Sequence, residues 1–265
     1  MSEREDAPAA QGFGRLRGQT ALVTGSTRGL GRTIAEWLAR DGADIIVSGR
    51  DEDEVRDSAA AIQALGVETH GIAADLARIE EAHRLATATL ARVERLDILV
   101  NNAGMSIAQP FWEATDDEVE TQLNVNWRSP FVLGQHVAKH MMAQGIRGRI
   151  VNISTVGVHA AHPDRLVYNA AKAAIEAMTS NMAHELAPHG IRVNAVAPGN
   201  MVERPGVDAD PDANARYARQ IPVGRVGRAE DIAAAVRFFC LPESDFTTGQ
   251  TLLVDGGMIG YLRET

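Results

Sequence analysis

The chain of 265 residues contains one cysteine and three tyrosines, and its 26 basic residues include only two lysines, Lys139 and Lys172. A single cysteine excludes an internal disulfide and fits a reducing compartment, so the expected location is the cytoplasm. Cys240 lies in the apolar stretch Val236-Arg237-Phe238-Phe239-Cys240, which reads as a packed thiol and not a reactive one. No apolar run approaches the roughly 18 residues of a membrane span. The start, residues 1–17, has no apolar signal core and is expected to be a flexible tail, leaving 18–265 as one domain. The net charge of −9 argues against nucleic acid, which requires a clustered basic face, and against anionic membrane surfaces. The composition, 45% hydrophobic and 23% charged, is that of a globular protein able to bury a sizeable core.

Apolar runs alternate with helical stretches from end to end. Strands are expected at 20–24, 44–48, 67–73, 96–100, 149–153, 192–197 and 251–254, with helices over 32–40, 51–65, 79–93 and 167–186. A further helix is expected over 117–142, interrupted near Pro130. Such alternation implies right-handed βαβ units. The fold class is therefore α/β, a single doubly wound Rossmann-type domain with a seven-stranded, mainly parallel sheet. The stretch 200–219, rich in Pro, Asp, Arg and Ala, suits a substrate lid.

The scarcity of lysine gives weight to one pair: Lys172 stands four residues after Tyr168. On a helix these positions share a face. An ammonium beside a phenol favours the phenolate and lowers its pKa from about 10, which suits proton transfer near neutral pH. A solvated surface pair is the alternative. The second motif is Thr24-Gly25-Ser26-Thr27-Arg28-Gly29-Leu30-Gly31, between a strand and a helix. Its spacing is G-x-x-x-G-x-G, and glycines there let a pyrophosphate approach the helix N-terminus. Gly25, Thr27, Arg28, Gly29, Leu30 and Gly31 are the candidate contacts, against an ordinary glycine turn. The second strand ends Ser48-Gly49-Arg50 with no carboxylate before Arg50. Arg50 and Arg28 suit a ribose 2′-phosphate, so NADP(H) is expected, with NAD(H) as the alternative. Solvated arginines are the competing reading. Asp75, beside Leu76, suits either an adenine amino group or a helix N-cap. Asn101-Asn102-Ala103-Gly104 closes the fourth strand, as a close approach to a flat ligand or as a plain turn.

Together these motifs resemble the classical short-chain dehydrogenase/reductase family. They are TGSTRGLG at 24–31, NNAG at 101–104, Tyr168-Asn169-Ala170-Ala171-Lys172 and Pro198-Gly199, with Ile221-Pro222-Val223-Gly224-Arg225 through Asp255-Gly256-Gly257 behind them. The resemblance spans about residues 17–260 and is broadest toward 3-oxoacyl reductases and sugar or polyol dehydrogenases. It implies interconversion of a carbonyl and a secondary alcohol by hydride transfer, with Tyr168 as general acid in reduction and base in oxidation. Lys172 would lower the Tyr168 pKa and hold the nicotinamide ribose. Asn126 would support a water-linked proton relay, with Asn124 the weaker candidate. Leu76, Asn102, Ala103, Gly104, Pro198 and Gly199 would line the cofactor site.

The hydroxyl that orients the substrate carbonyl normally stands thirteen residues before the tyrosine. That position is Thr155, with Ser154 as the fallback. Where the family usually has a threonine, four after Gly199, this chain has Glu203. The resemblance also implies a homodimer or homotetramer, built partly on helices such as the one carrying the small residues Ala170, Ala171, Ala173, Ala174 and Ala177; burial within the monomer is the alternative for some of these alanines. Other readings are a non-catalytic NADP-binding regulator and a different chemistry on the same scaffold, such as enoyl reduction or dehydration. No metal is expected: His189 follows His184 by five residues, not four. His159 and His162 lie in the loop before Tyr168, either as substrate neighbours or as exposed loop residues.

Overall fold

The computed structural model describes residues 14–201 and 211–260. Seven strands form one sheet: β1 (Thr20–Thr24), β2 (Asp44–Gly49), β3 (Thr69–Ala73), β4 (Ile98–Asn101), β5 (Arg149–Ile153), β6 (Arg192–Pro198) and β7 (Thr251–Val254). Their order is β3-β2-β1-β4-β5-β6-β7. Every pairing is parallel, so the expectation of a mainly parallel sheet is exceeded. The chain runs outward from β1 to β3, then returns to β4 and runs the other way. The switch between β1 and β4 opens a crevice at the carboxyl edge, where ligands of such sheets bind.

Eight helices are described: α1 (Gly29–Arg40), α2 (Glu52–Gln63), α3 (Ile79–Leu90), α4 (Asp116–Leu123), α5 (Ser129–Gln144), α6 (Leu166–Leu186), α7 (Pro211–Ala218) and α8 (Ala229–Cys240). They cover both faces of the sheet. Ala21 and Val23 of β1 pack with Ile34 and Leu38 of α1 and with Val236 and Phe239 of α8. Leu22 points the other way, into the layer of Leu85, Leu133, Val137 and Leu186 from α3, α5 and α6. A strand buried on both faces reads as a continuous apolar run, which is why β1 was legible as TALVT.

Two boundaries differ from expectation. Leu16 is fully buried, and its N–H donates to Asp41 O at 2.8 Å, so packing begins inside the expected tail. Residues 1–13 lie outside the described region. The interruption of the 117–142 helix, expected near Pro130, is a π turn at Asn124–Arg128 between α4 and α5, ending two residues before that proline. Pro130 is the second residue of α5 and brings no N–H to the helical path that runs into it from the π turn.

Candidate active site

The carboxyl ends of β1 and β2 are tied by Ser26. Its N–H donates to Ser48 O at 2.9 Å, and its hydroxyl accepts from Ser48 N at 3.1 Å. The loop turns through Gly25 at φ +62° and Gly29 at φ +51°, conformations natural to glycine. A Cβ on Gly31 would lie 2.1 Å from Gly25 O and 2.4 Å from Asn102 Nδ2, so no other residue fits there. Asn102 fastens the loop from beneath: its amide donates to Thr24 O at 2.9 Å and Gly25 O at 3.1 Å. The N–H groups of Asn102 and Ala103 both donate to Thr24 Oγ1 at 3.0 Å. Asn102 therefore uses its side chain to hold the glycine loop.

Helix α1 rises from this loop with no side-chain cap at Arg28 and no acid in its first turn. Helices α2, α3, α4 and α8 all carry acids there. The open N–H groups and positive dipole end of α1 suit a pyrophosphate. These residues fit a dinucleotide.

Around the end of β2, a Cβ on Gly49 would meet the Thr27 methyl at 2.5 Å, which shows how closely Gly49-Arg50 abuts the loop. Thr27 donates to Glu54 Oε2 at 3.0 Å, and Arg28 pairs with Glu54 Oε1 at 3.3 Å. Glu54 is a member of this corner that the sequence reading missed. Asp75 Oδ1 accepts from Ala77 N at 3.2 Å; it caps a turn before α3, whose own N-cap is Arg78. Leu76 beside it is buried.

The reactive end lies across the crevice. A Cβ on Gly104 would sit 3.2 Å from Asn126 Oδ1 and 3.6 Å from Lys172 Nζ, so three separate segments converge there. Asn126 is fully buried in the π turn; such turns recur at functional sites because they re-aim one residue of a helix. Its amide oxygen accepts from Met105 N at 3.2 Å, and its nitrogen donates to Met105 O at 2.7 Å and Gln122 O at 2.9 Å. Asn124 is turned elsewhere, donating to Ala77 O at 2.9 Å and accepting from Arg128.

Lys172 is buried, with Nζ donating to Ile153 O at 2.7 Å and standing 5.9 Å from the centre of the Tyr168 ring. Burial lowers its ammonium from 10.5 to about 8. That corresponds to about 3 kcal/mol against the charged form. One carbonyl bond does not offset this, and an ammonium has two further protons to donate. The site therefore favours polar partners beside Lys172, such as ribose hydroxyls or a phenolate.

Strand alternation separates the two hydroxyl candidates. Ser154 continues the β5 ladder to Val196 O and turns its hydroxyl to Glu176 Oε1 at 2.6 Å. Thr155 faces the other way and caps the short turn Val156–Val158, accepting from Gly157 N at 3.2 Å. At the end of β6, a Cβ on Gly199 would lie 2.7 Å from Asp255 Cα. Glu203, Val202 and nearly half of the expected lid fall in 202–210, outside the described residues; within 200–219 the structure adds α7.

The remaining candidates divide. Phe111 and Trp112 are exposed, while Met201 is buried. His162 is exposed and meets Pro163 O at 3.0 Å. His159 is not simply a solvated loop residue, since its Nε2 lies 3.2 Å from Glu176 Oε1. Burial pushes the Cys240 thiol up to about 12, as a packed thiol requires. A separate groove of about 660 Å³ between α2 and α3 is lined by Glu52, Val55, Arg56, Gly71, Arg84 and Arg92, and holds none of the candidate catalytic residues.

Known proteins resemble this chain along most of its length. The profile of a family described as enoyl-(acyl carrier protein) reductase matches residues 25–259. The 3-oxoacyl-[acyl-carrier-protein] reductase of Aquifex aeolicus is 36% identical over 245 residues, covering 92% of this chain and 98% of its own. The chain belongs to the short-chain dehydrogenase/reductase family. Another relative within it is gluconate 5-dehydrogenase of Gluconobacter oxydans, 36% identical over 252 residues, 92% of this chain and 95% of its own. A gluconate 5-dehydrogenase from Burkholderia cenocepacia, solved with NADP and tartrate, superposes with a TM-score of 0.87 at 33% identity, covering 95% of this chain and 99% of its own. As a short-chain dehydrogenase/reductase, the protein is an oxidoreductase built on a Rossmann-type sheet. No described helix is long and apolar enough to cross a membrane.

Proposed function

We propose that this protein is a cytoplasmic, NADP(H)-preferring oxidoreductase that interconverts a small carbonyl compound and a secondary alcohol. The observation that carries the reading is the meeting of Gly104, Asn126 and Lys172 beside Tyr168, across the crevice from the uncapped α1. NADP(H), when bound, supplies or accepts the hydride. The Thr155 and Tyr168 hydroxyls polarise the substrate carbonyl and stabilise charge developing on its oxygen. Tyr168 then delivers the proton in reduction and removes it in oxidation. Lys172 holds the nicotinamide ribose and favours the phenolate. Asn126 supports the relay that reprotonates Tyr168.

The test is a panel of ketones, sugars and secondary alcohols followed by nicotinamide absorbance. Turnover on part of the panel is expected. Tight NADP(H) binding with no turnover would instead identify a regulator. The panel includes enones, because the matching profile is described by enoyl reduction; reduction of the C=C bond alone would replace carbonyl chemistry with that activity.

NADP preference rests on Arg28 and Arg50 at the β2 corner, where a guanidinium fork suits a phosphate. It is supported by the NADP in the Burkholderia cenocepacia structure. Glu54 already engages Arg28, and a 2′-phosphate would compete with it for that arginine. Arg50→Asp is expected to weaken NADP(H) about tenfold or more and to favour NAD(H), by loss of one charge-assisted contact and gain of a repulsive one. Cofactor titration checks this; a wild type that binds NAD(H) more tightly would remove the assignment.

The exposed Ala170, Ala173 and Ala177 of α6 are the surface on which a dimer or tetramer would close. Sedimentation as a monomer at micromolar concentration would count against that assembly.

A further inference from the structure

Glu176 lies one helical turn beyond Lys172, on the same side of α6. Its carboxylate is largely buried, with its side chain 16% exposed. One of its oxygens, Oε1, holds two groups: the Ser154 hydroxyl at 2.6 Å and His159 Nε2 at 3.2 Å. These two residues flank Thr155 in the chain, one immediately before it and the other four after it. Between them runs the turn Val156–Val158, which packs on α6 so closely that a Cβ on Gly157 would lie 2.5 Å from Asn169 Oδ1. Just upstream, Lys172 grips Ile153 O at 2.7 Å. Helix α6 therefore fastens the segment 153–159 at Ile153, Ser154 and His159, and Thr155 hangs between those points. Among the described residues, the Thr155 hydroxyl itself has one hydrogen bond, inside its own turn, from Gly157 N. Nothing in that local bond fixes its distance from Tyr168.

We infer that Glu176 is a positioning residue for the Thr155 hydroxyl, setting its place relative to Tyr168 by holding Ser154 and His159 on either side of it. The inference rests on the proposed role of Thr155 in orienting the substrate carbonyl. The physical requirement is strict: a hydroxyl that stabilises developing charge must be held near its productive position, and small displacements cost rate steeply. A carboxylate accepting two hydrogen bonds does this better than packing alone, since charge-assisted bonds are short and directional. Glutamine at 176 retains an oxygen that can accept both bonds, whereas alanine retains neither.

The experiment measures carbonyl reduction and NADP(H) affinity in Glu176→Ala, Glu176→Gln, Thr155→Ala and the double variant Thr155→Ala/Glu176→Ala. Glu176→Ala is expected to lower kcat about tenfold or more with cofactor Kd unchanged, and Glu176→Gln to restore it to within about threefold of wild type. In the Thr155→Ala background, adding Glu176→Ala is expected to change kcat less than about twofold, because the hydroxyl that Glu176 positions is already gone. Equal losses from Glu176→Ala in both backgrounds, wild-type turnover of Glu176→Ala, or a glutamine variant no better than alanine would each overturn the inference while leaving Thr155 in place. Wild-type turnover of Thr155→Ala would overturn the assignment of Thr155, and this inference with it.

Discussion

Replacing Tyr168 with phenylalanine is expected to lower carbonyl reduction by about 10²- to 10⁴-fold, the range typical of losing a general acid. NADP(H) affinity should stay close to that of the wild type. Tyr168 stands in the first turn of α6, with the Lys172 ammonium 5.9 Å from its ring centre and Gly104 and Asn126 alongside the lysine. Phenylalanine keeps the ring and its packing and removes only the oxygen that exchanges the proton. The glycine loop, the Asn102 clasp and the α1 N-terminus lie on other segments and are untouched. A kcat unaltered in Tyr168→Phe would discredit Tyr168 as the proton donor. A large loss of cofactor affinity would show that the residue binds more than it reacts.

The second large effect is expected at Gly31. An alanine methyl there would lie 2.1 Å from Gly25 O and 2.8 Å from Gly25 C, both backbone atoms, and 2.4 Å from the Asn102 amide that clasps the loop. Backbone atoms cannot rotate out of the way, so the loop must open. Overpacking of this kind costs about 1–3 kcal/mol. For a domain of this size that lowers Tm by several degrees, at roughly 2–4 °C per kcal/mol. The loss of NADP(H) affinity should be much larger than this destabilisation alone explains, because the displaced backbone is the proposed phosphate cradle. Gly66→Ala is the control: Gly66 also has a positive φ, +92°, but nothing lies within 4 Å of its would-be Cβ. It should show a modest Tm loss with cofactor binding intact. Gly31→Ala with wild-type affinity would contradict the cradle.

Much of the architecture was legible because burial on both faces leaves a plain mark. Strands β1 and β5 begin and end where their apolar runs do; the edge strand β7 does so too, although none of its residues is buried. The misses have physical causes. Leu96 is fully buried, yet β4 begins only at Ile98. Between them, the Asp97 carboxylate accepts from Thr20 N and pairs with Arg95, so apolar burial and ladder pairing part company there. Proline marked the neighbourhood of the helix interruption, while its form, a π turn over Asn124–Arg128, has no marker of its own in the sequence. Thr155 comes forward from the count back to Tyr168, and strand alternation sets Ser154 and Thr155 on opposite faces; the choice of Thr155 for the substrate carbonyl is the proposal made above. Glu176 had a signal too, the 168/172/176 spacing on one helix face, but its partners come from a loop that no periodicity places. Glu54 was hidden in the same way: it reaches the glycine loop from α2, 26 residues after Arg28.

The central claim is that Lys172 makes Tyr168 acidic enough to exchange a proton near neutral pH. Burial lowers the lysine itself to about 8, and in its ammonium form it favours the phenolate of the tyrosine beside it. In alcohol oxidation the base must be deprotonated, so kcat/KM rises with pH through the ionisation of that base. The decisive measurement is this pH profile in wild type and in Lys172→Met. The wild-type midpoint should lie below the free phenol value of about 10, and the methionine variant should move it upward toward that value. The same midpoint in both proteins, or a wild-type midpoint already near that of free phenol, would contradict the claim.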